Sequence, residues 1–217
     1  MIEKYLEATN LKKDATWKDI RTLVNDAEAK GCYGVCSYLM WANEMKKRVK
    51  NCKVICVLGF PQGGLVQIMK DLEMVNPAVD EYDIVVPLYE IKRKKYKTFL
   101  GFMQKARKVT QGKILKAIIE TAALEEKEFK PVIKICEKAG VDIIKTNTGL
   151  YTRLRPLEKD IELIKQFTNL PIKASGGIST FAQAKKLIDM GVARIGTSKP
   201  TEIIREESAL KVVENRS

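Results

Sequence analysis

Pro171-Ile172-Lys173-Ala174-Ser175-Gly176-Gly177-Ile178 reads as an apolar strand that ends on a lysine and runs straight into a pair of glycines. A strand, a glycine turn and then Ser179-Thr180 opening a helix would present backbone N–H groups at a positive helix end, the layout of a phosphate loop in an α/β barrel. Upstream, Val141-Asp142-Ile143-Ile144-Lys145-Thr146-Asn147-Thr148-Gly149 repeats the plan with its own terminal lysine and glycine.

Outward from these two segments, short β-branched runs alternate with longer amphipathic stretches along the whole chain, and no Pro, Gly or Ser-rich linker interrupts them. Strands are expected at 5–9, 34–37, 54–59, 82–86, 114–120, 142–146, 172–174 and 193–196. Helices are expected at 17–30, 40–50, 65–74, 89–110, 125–139, 158–167, 182–190 and 202–214. Strands this apolar are buried on both faces, which suits a parallel sheet covered by helices. Eight repeats of the unit favour closure over an open doubly wound sheet, so the expected fold is α/β, a single (β/α)8 TIM barrel spanning 1–217. Helix punctuation agrees. Thr16 stands as an N-cap with Asp19 in the first turn, and Gly31, Gly140 and Gly191 each fall just past an expected helix end.

With 217 residues, 45% of them hydrophobic, the chain can bury one sizeable core. It has no apolar run of the roughly 18 residues that a membrane helix needs, and its start, Met1-Ile2-Glu3-Lys4, lacks the build of a secretory signal. A cytoplasmic protein without membrane contact is expected. The net charge of +12, from 39 Lys and Arg against 27 Asp and Glu, attracts polyanions or phosphorylated metabolites. The densest basic run, Lys92-Arg93-Lys94-Lys95-Tyr96-Lys97, is read as the solvated opening of a helix rather than a nucleic-acid site, since no RNA-binding or zinc-finger signature accompanies it. The cysteines (32, 36, 52, 56 and 136) are odd in number and the chain has no histidine, so buried free thiols are expected rather than disulfides or a metal centre.

In such barrels the reacting groups project from the C-terminal strand ends and the loops that follow. Thr9, Asp83, Glu120, Lys145, Thr148, Lys173 and Ser198 all fall there. A lysine entering an apolar mouth is expected to lose proton affinity by desolvation, and a second lysine beside it adds like-charge repulsion, leaving neutral amine to attack a carbonyl. Asp83 sits between Tyr82 and Ile84 in an apolar strand, so it needs a cationic partner and can shuttle protons. Gly176-Gly177 and Gly196-Thr197-Ser198-Lys199, after the last two strands, supply the amides, hydroxyls and charge of a phosphate site. The residues thus suggest a Schiff-base enzyme acting on a phosphorylated carbonyl compound.

Lys-Thr-Asn-Thr-Gly at 145–149 and Lys-Ala-Ser-Gly-Gly-Ile at 173–178, together with Val57-Leu58-Gly59-Phe60-Pro61-Gln62-Gly63, Glu81-Tyr82-Asp83-Ile84-Val85-Val86 and Lys116-Ala117-Ile118-Ile119-Glu120-Thr121, resemble the deoxyribose-phosphate aldolases in order and along essentially the whole chain. The resemblance implies reversible cleavage of 2-deoxy-D-ribose 5-phosphate to D-glyceraldehyde 3-phosphate and acetaldehyde, in deoxyribonucleotide catabolism, with no metal or organic cofactor. It implies that Lys145 forms the Schiff base, that Lys173 perturbs it and relays protons, and that Asp83 activates water. Gly149, Gly176, Gly177 and Ser198 would hold the phosphate, with Thr148 and Lys199 beside them, and Glu7, Thr9, Cys36 and Glu120 would support the site. A homodimer or larger homo-oligomer is also implied.

Two segments depart from the family pattern, as does Lys199, which replaces a small residue next to the phosphate site and would add a cation there. Glu7-Ala8-Thr9 stands where Asp-His-Thr is usual, and Ser37-Tyr38-Leu39-Met40 replaces an Asn-Pro segment after Cys36. These changes leave open a related Schiff-base aldolase with another phosphorylated aldose or donor aldehyde. A basic, non-catalytic barrel that binds nucleic acid or a protein is the alternative from a different class.

Overall fold

The apolar runs pair side by side in chain order. In the computed structural model, which describes residues 1–152 and 155–214, the strands are β1 (Leu6–Thr9), β2 (Gly34–Tyr38), β3 (Lys53–Leu58), β4 (Glu81–Val85), β5 (Ile114–Ile118), β6 (Ile143–Lys145), β7 (Ile172–Ser175) and β8 (Arg194–Thr197). All neighbours run parallel, and β1 closes the ring by pairing with β8 through Leu6↔Ile195 and Ala8↔Thr197. The expected (β/α)8 barrel is the observed architecture.

Around it lie α1 (Trp17–Ala29), α2 (Ala42–Lys46), α3 (Leu65–Glu73), α4 (Leu88–Lys92), α5 (Tyr96–Val109), α6 (Glu126–Lys138), α7 (Leu157–Lys165), α8 (Phe181–Asp189) and α9 (Pro200–Glu214). The two-residue period of a strand sorts its side chains between two environments. Leu6, Ala8, Tyr82 and Ile84 pack outward with Ile20, Ile68, Phe99 and Phe129 into the main core. The alternate residues Glu7, Glu81 and Asp83 point into the barrel, where they meet lysines. The Thr16 cap forms with Asp19 as a reciprocal box. All five cysteines are buried free thiols.

Three expectations need correction. The helix expected over 89–110 is two, because Lys94 takes a left-handed φ of 56° and ends α4; residues 92–95 are all exposed, so nothing in the core holds them helical. The basic run therefore straddles a bend instead of opening one helix. The helix expected over 40–50 shrinks to α2 behind a short 3-10 turn at Leu39–Trp41. Its far end is pulled out of helical geometry when the amides of Lys50, Asn51 and Cys52 donate to the Glu28 carboxylate at 2.8, 2.9 and 2.8 Å. Finally, β5 stops at Ile118, and Glu120 turns left-handed at φ 53° instead of extending the strand.

Candidate active site

Parallel pairing sets the site up before any side chain is considered. Asp83 on β4 lies beside Lys116 on β5, and Lys145 on β6 lies beside Lys173 on β7. All four point into the barrel, where buried charges must satisfy one another and the carboxylates of Glu7 and Glu81. Asp83 receives all three lysines: Lys116 Nζ donates to Oδ1 at 2.9 Å, while Lys145 and Lys173 donate to Oδ2 at 2.8 and 2.6 Å. Lys173 also donates to Glu7 on β1. It reaches across Gly196 of β8, where an added Cβ would come within 3.1 Å of Lys173 Cε.

The electrostatics follow from that crowding. Burial opposes the charge on Asp83, but Lys116, Lys145 and Lys173 outweigh it and hold the carboxyl well below the usual carboxylate range. Burial likewise opposes the ammonium of Lys173, and Asp83 and Glu7 overcome it, pushing Lys173 up to about 12. The surroundings of Lys145 are ionic, which corrects the apolar mouth expected from sequence. Cys36 lies against the same group; burial raises its thiol, with Lys173 opposing.

Above Lys145 opens a cleft of about 1030 Å³. Its walls include Thr148 and Gly149 after β6, Gly176 and Gly177 after β7, and Ser198 and Lys199 after β8. Thr9, at the end of β1 next to β8, lines it too. The sequence reading placed the phosphate at the start of α8, and here the structure differs. The amides of Ser179 and Thr180 donate to Gln183 at 2.9 and 3.2 Å, and that of Phe181 donates to Glu206 at 2.7 Å. Those donors are already satisfied, so an anion would rest on the three loops themselves. The Lys199 ammonium pairs with Glu202 at 3.0 Å at the rim.

No protein-family model matches the chain. Over 215 residues, 95% of this chain and 96% of the other, it is 36% identical to a deoxyribose-phosphate aldolase of Clostridioides difficile. A deoxyribose-phosphate aldolase of Aquifex aeolicus is 35% identical, with 94% of this chain and 95% of that one covered. The chain belongs to the deoxyribose-phosphate aldolase family. Among solved structures, QR15, an aldolase, superposes with a TM-score of 0.90 at 34% identity over 98% of each chain. The tetrameric deoxyribose-phosphate aldolase of Aeropyrum pernix gives 0.83 at 26% identity, covering 96% of this chain and 92% of that one.

Two charged groups in this aldolase-family barrel escaped the sequence reading as site members. Lys116 is fully buried and bridges Asp83, Glu81 (2.5 Å) and Glu7 (3.6 Å). Burial opposes its charge too, but Asp83, Glu7 and Glu81 hold the ammonium well above the ordinary lysine value. Glu81 continues the network to Tyr33, whose hydroxyl donates to it and whose ring carries Arg194 at 3.7 Å. The available signal was parity: Glu81 and Asp83 alternate on one strand, and Lys116 interrupts an apolar strand between Leu115 and Ala117. Glu7 is wholly buried and engaged by Lys173, so it serves the lysine cluster and does not face the cleft as a substrate ligand. Glu120 sits behind Thr148, accepting its backbone N–H at 3.0 Å.

Proposed function

We propose that this chain is a metal-independent aldolase that reversibly cleaves 2-deoxy-D-ribose 5-phosphate into D-glyceraldehyde 3-phosphate and acetaldehyde through a Schiff base on Lys145. The observation that carries the reading is the meeting of Lys145 and Lys173 on one oxygen of Asp83, directly below the cleft.

The chemistry follows from charge balance. Glu7, Glu81 and Asp83 face Lys116, Lys145 and Lys173, three carboxylates against three ammonium groups. When Lys145 gives up a proton to attack the aldehyde carbon, the cluster is left with one excess negative charge. Formation of the carbinolamine and loss of water restore a cation at the same nitrogen as the iminium, so the fixed carboxylates favour that intermediate. The iminium draws in the electron pair of the C2–C3 bond as the C3 hydroxyl loses its proton. D-glyceraldehyde 3-phosphate departs and an enamine remains. Protonation at C2 and hydrolysis release acetaldehyde and regenerate Lys145. Asp83 moves protons between Lys145 and water from the cleft, and Lys173 stabilises its carboxylate as it does so.

The sugar phosphate would rest on the loops at Thr148-Gly149, Gly176-Gly177 and Ser198-Lys199, with Thr9 of β1 beside the last of them. By extension from the tetrameric Aeropyrum pernix relative, we assign this chain to a homo-oligomer, a dimer or larger. No described helix is long and apolar enough to cross a membrane, and we place the enzyme in the cytoplasm. Incubation with acetaldehyde or the sugar phosphate followed by borohydride, then intact mass and peptide mapping, tests the reading. A single reduced adduct on Lys145 supports it, and an unmodified protein overturns it.

A further inference from the structure

Glu120 is a buried acid that the Schiff-base chemistry leaves unused. It stands where the chain steps from β5 toward α6, between Ile119, whose amide donates to Lys145 O, and Thr121, whose amide donates to Thr146 O, both at 3.0 Å. Between those two anchors the backbone takes φ 53° and ψ 65°, a conformation that a side chain disfavours and glycine accepts readily. Glu120 is nonetheless fully buried, and its Oε1 has no hydrogen-bond partner among the described residues. A glutamate is thus kept at a position that backbone and desolvation both penalise.

What it holds is Thr148. Oε2 accepts the Thr148 N–H at 3.0 Å, and the Thr148 hydroxyl also interacts with the carboxyl. Burial raises Glu120 above the ordinary carboxylic range, with Thr148 and Lys145 pulling the other way. Thr148 leads into Gly149 at φ 91°, and a Cβ built there would stand 3.5 Å from Gly176 Cα. A Cβ on Gly176 would in turn meet Asn147 Cβ at 3.1 Å. The loops after β6 and β7 are therefore packed backbone to backbone, and Glu120 grips the first of them from behind.

We propose that Glu120 is a positioning residue that sets the spacing of the two glycine loops and so the affinity for the substrate's phosphate, acting through Thr148 and not on the reacting carbons. The inference rests on the phosphate site assigned above. It predicts that recognition and chemistry separate on mutation.

The experiment compares wild type, Glu120→Gln, Glu120→Ala and Glu120→Gly with 2-deoxyribose 5-phosphate, with unphosphorylated 2-deoxyribose, and with inorganic phosphate as a calorimetric ligand. Glycine relieves the left-handed backbone while deleting the acceptor, so it supplies a folded variant if alanine fails to fold. For Glu120→Gly we expect KM for the phosphorylated sugar to rise about tenfold, with kcat and the unphosphorylated reaction changed less than about twofold. Glu120→Gln, which keeps an acceptor for Thr148 N–H, should restore KM to within about twofold of wild type. Equal loss on both sugars, or an unchanged KM in Glu120→Gly, overturns the proposal. Failure of the aldolase reading appears differently, as a wild type that cleaves neither sugar. Inorganic phosphate then decides the inference alone: weaker binding by Glu120→Gly than by wild type supports it, and equal binding or none overturns it.

Discussion

Lys145 and Lys173, register partners on adjacent parallel strands, donate to the same carboxylate oxygen, Asp83 Oδ2, at 2.8 and 2.6 Å. Two cations on one oxygen are tolerable only because further carboxylates share the load. Glu7 takes the far side of Lys173, and Lys116 with Glu81 completes the set from below. Such a buried cluster is weak evidence for stability, because replacing it with well-packed apolar groups is often neutral or better. Its retention here is understandable if one of its members must change charge during turnover.

Removal of the proposed nucleophile gives the plainest test. Lys145→Ala should cut turnover by about a thousandfold or more, as expected when a covalent intermediate can no longer form. The borohydride adduct should vanish with it. A variant that keeps both its fold and wild-type turnover would sink the Schiff-base mechanism.

Lys173→Leu deletes one cation and leaves Glu7 buried with Lys116 as its remaining cation, 3.6 Å from Oε1. Breaking one side of a buried pair costs about 3–5 kcal/mol, and losing the proposed proton relay should lower kcat by about 100-fold or more. The two effects separate on a second substitution. Adding Glu7→Gln should recover much of the lost melting temperature without restoring kcat, because it removes the stranded charge and not the missing ammonium. Recovery of neither stability nor activity would show that Glu7 is not the group left uncompensated.

The sequence showed much of this directly, for identifiable reasons. Strand ends were legible because β-branched runs are bounded by glycine and polar residues, and Lys145, Lys173 and Asp83 stood out as charges inside or ending such runs. Lys116 did not, being one basic residue among 39 Lys and Arg until the register set it beside Asp83. The satisfied start of α8 was hidden for another reason. Gln183, which takes the amides of Ser179 and Thr180, is local to the turn, but Glu206, which takes that of Phe181, lies on α9, 25 residues away, and only the tertiary fold brings it there. The break between α4 and α5 was obscured because lysine and arginine are good helix formers, and the left-handed turn at Lys94 is closed by backbone bonds that end a helix, Lys94 N–H to Ile91 O and Lys95 N–H to Glu90 O, both at 2.8 Å.

Gly196 offers a steric test that leaves every charge in place. An added Cβ would stand 3.1 Å from Lys173 Cε and 3.2 Å from Ser175 Cβ, tighter than relaxed packing allows. The φ there is not left-handed, so the backbone itself accepts alanine. Gly196→Ala should therefore fold, move Lys173 off Asp83 or Glu7, and reduce kcat by about tenfold or more, since catalytic misplacement of even about 1 Å is costly. Unchanged kinetics would show that the lysine can shift without consequence.

The pH dependence of stability follows from the signs of the shifts. Asp83 is depressed in the folded state, so its contribution is complete above an unfolded carboxyl value of about 3.9 and is lost as pH falls through its folded value. Glu28 behaves alike: burial alone would raise it, but the amides of Cys52, Asn51 and Lys50 pull it down to about 2. Its contribution is present above about 4.3 and fades toward that lower value. Lys173 has the opposite sign. Raised to about 12, it stabilises fully below an unfolded value of about 10.4 and loses that contribution as pH climbs through its folded value. These groups together give a plateau from about pH 5 to about pH 10. Within it, Glu28→Gln should cost about 1–2 kcal/mol, a figure kept small because Glu28 is partly solvated. Urea unfolding across a pH series should show that difference shrinking as the pH drops below about 4. A gap as wide in acid as at neutral pH would mean that Glu28 acts through packing and not through its charged bonds to the three amides.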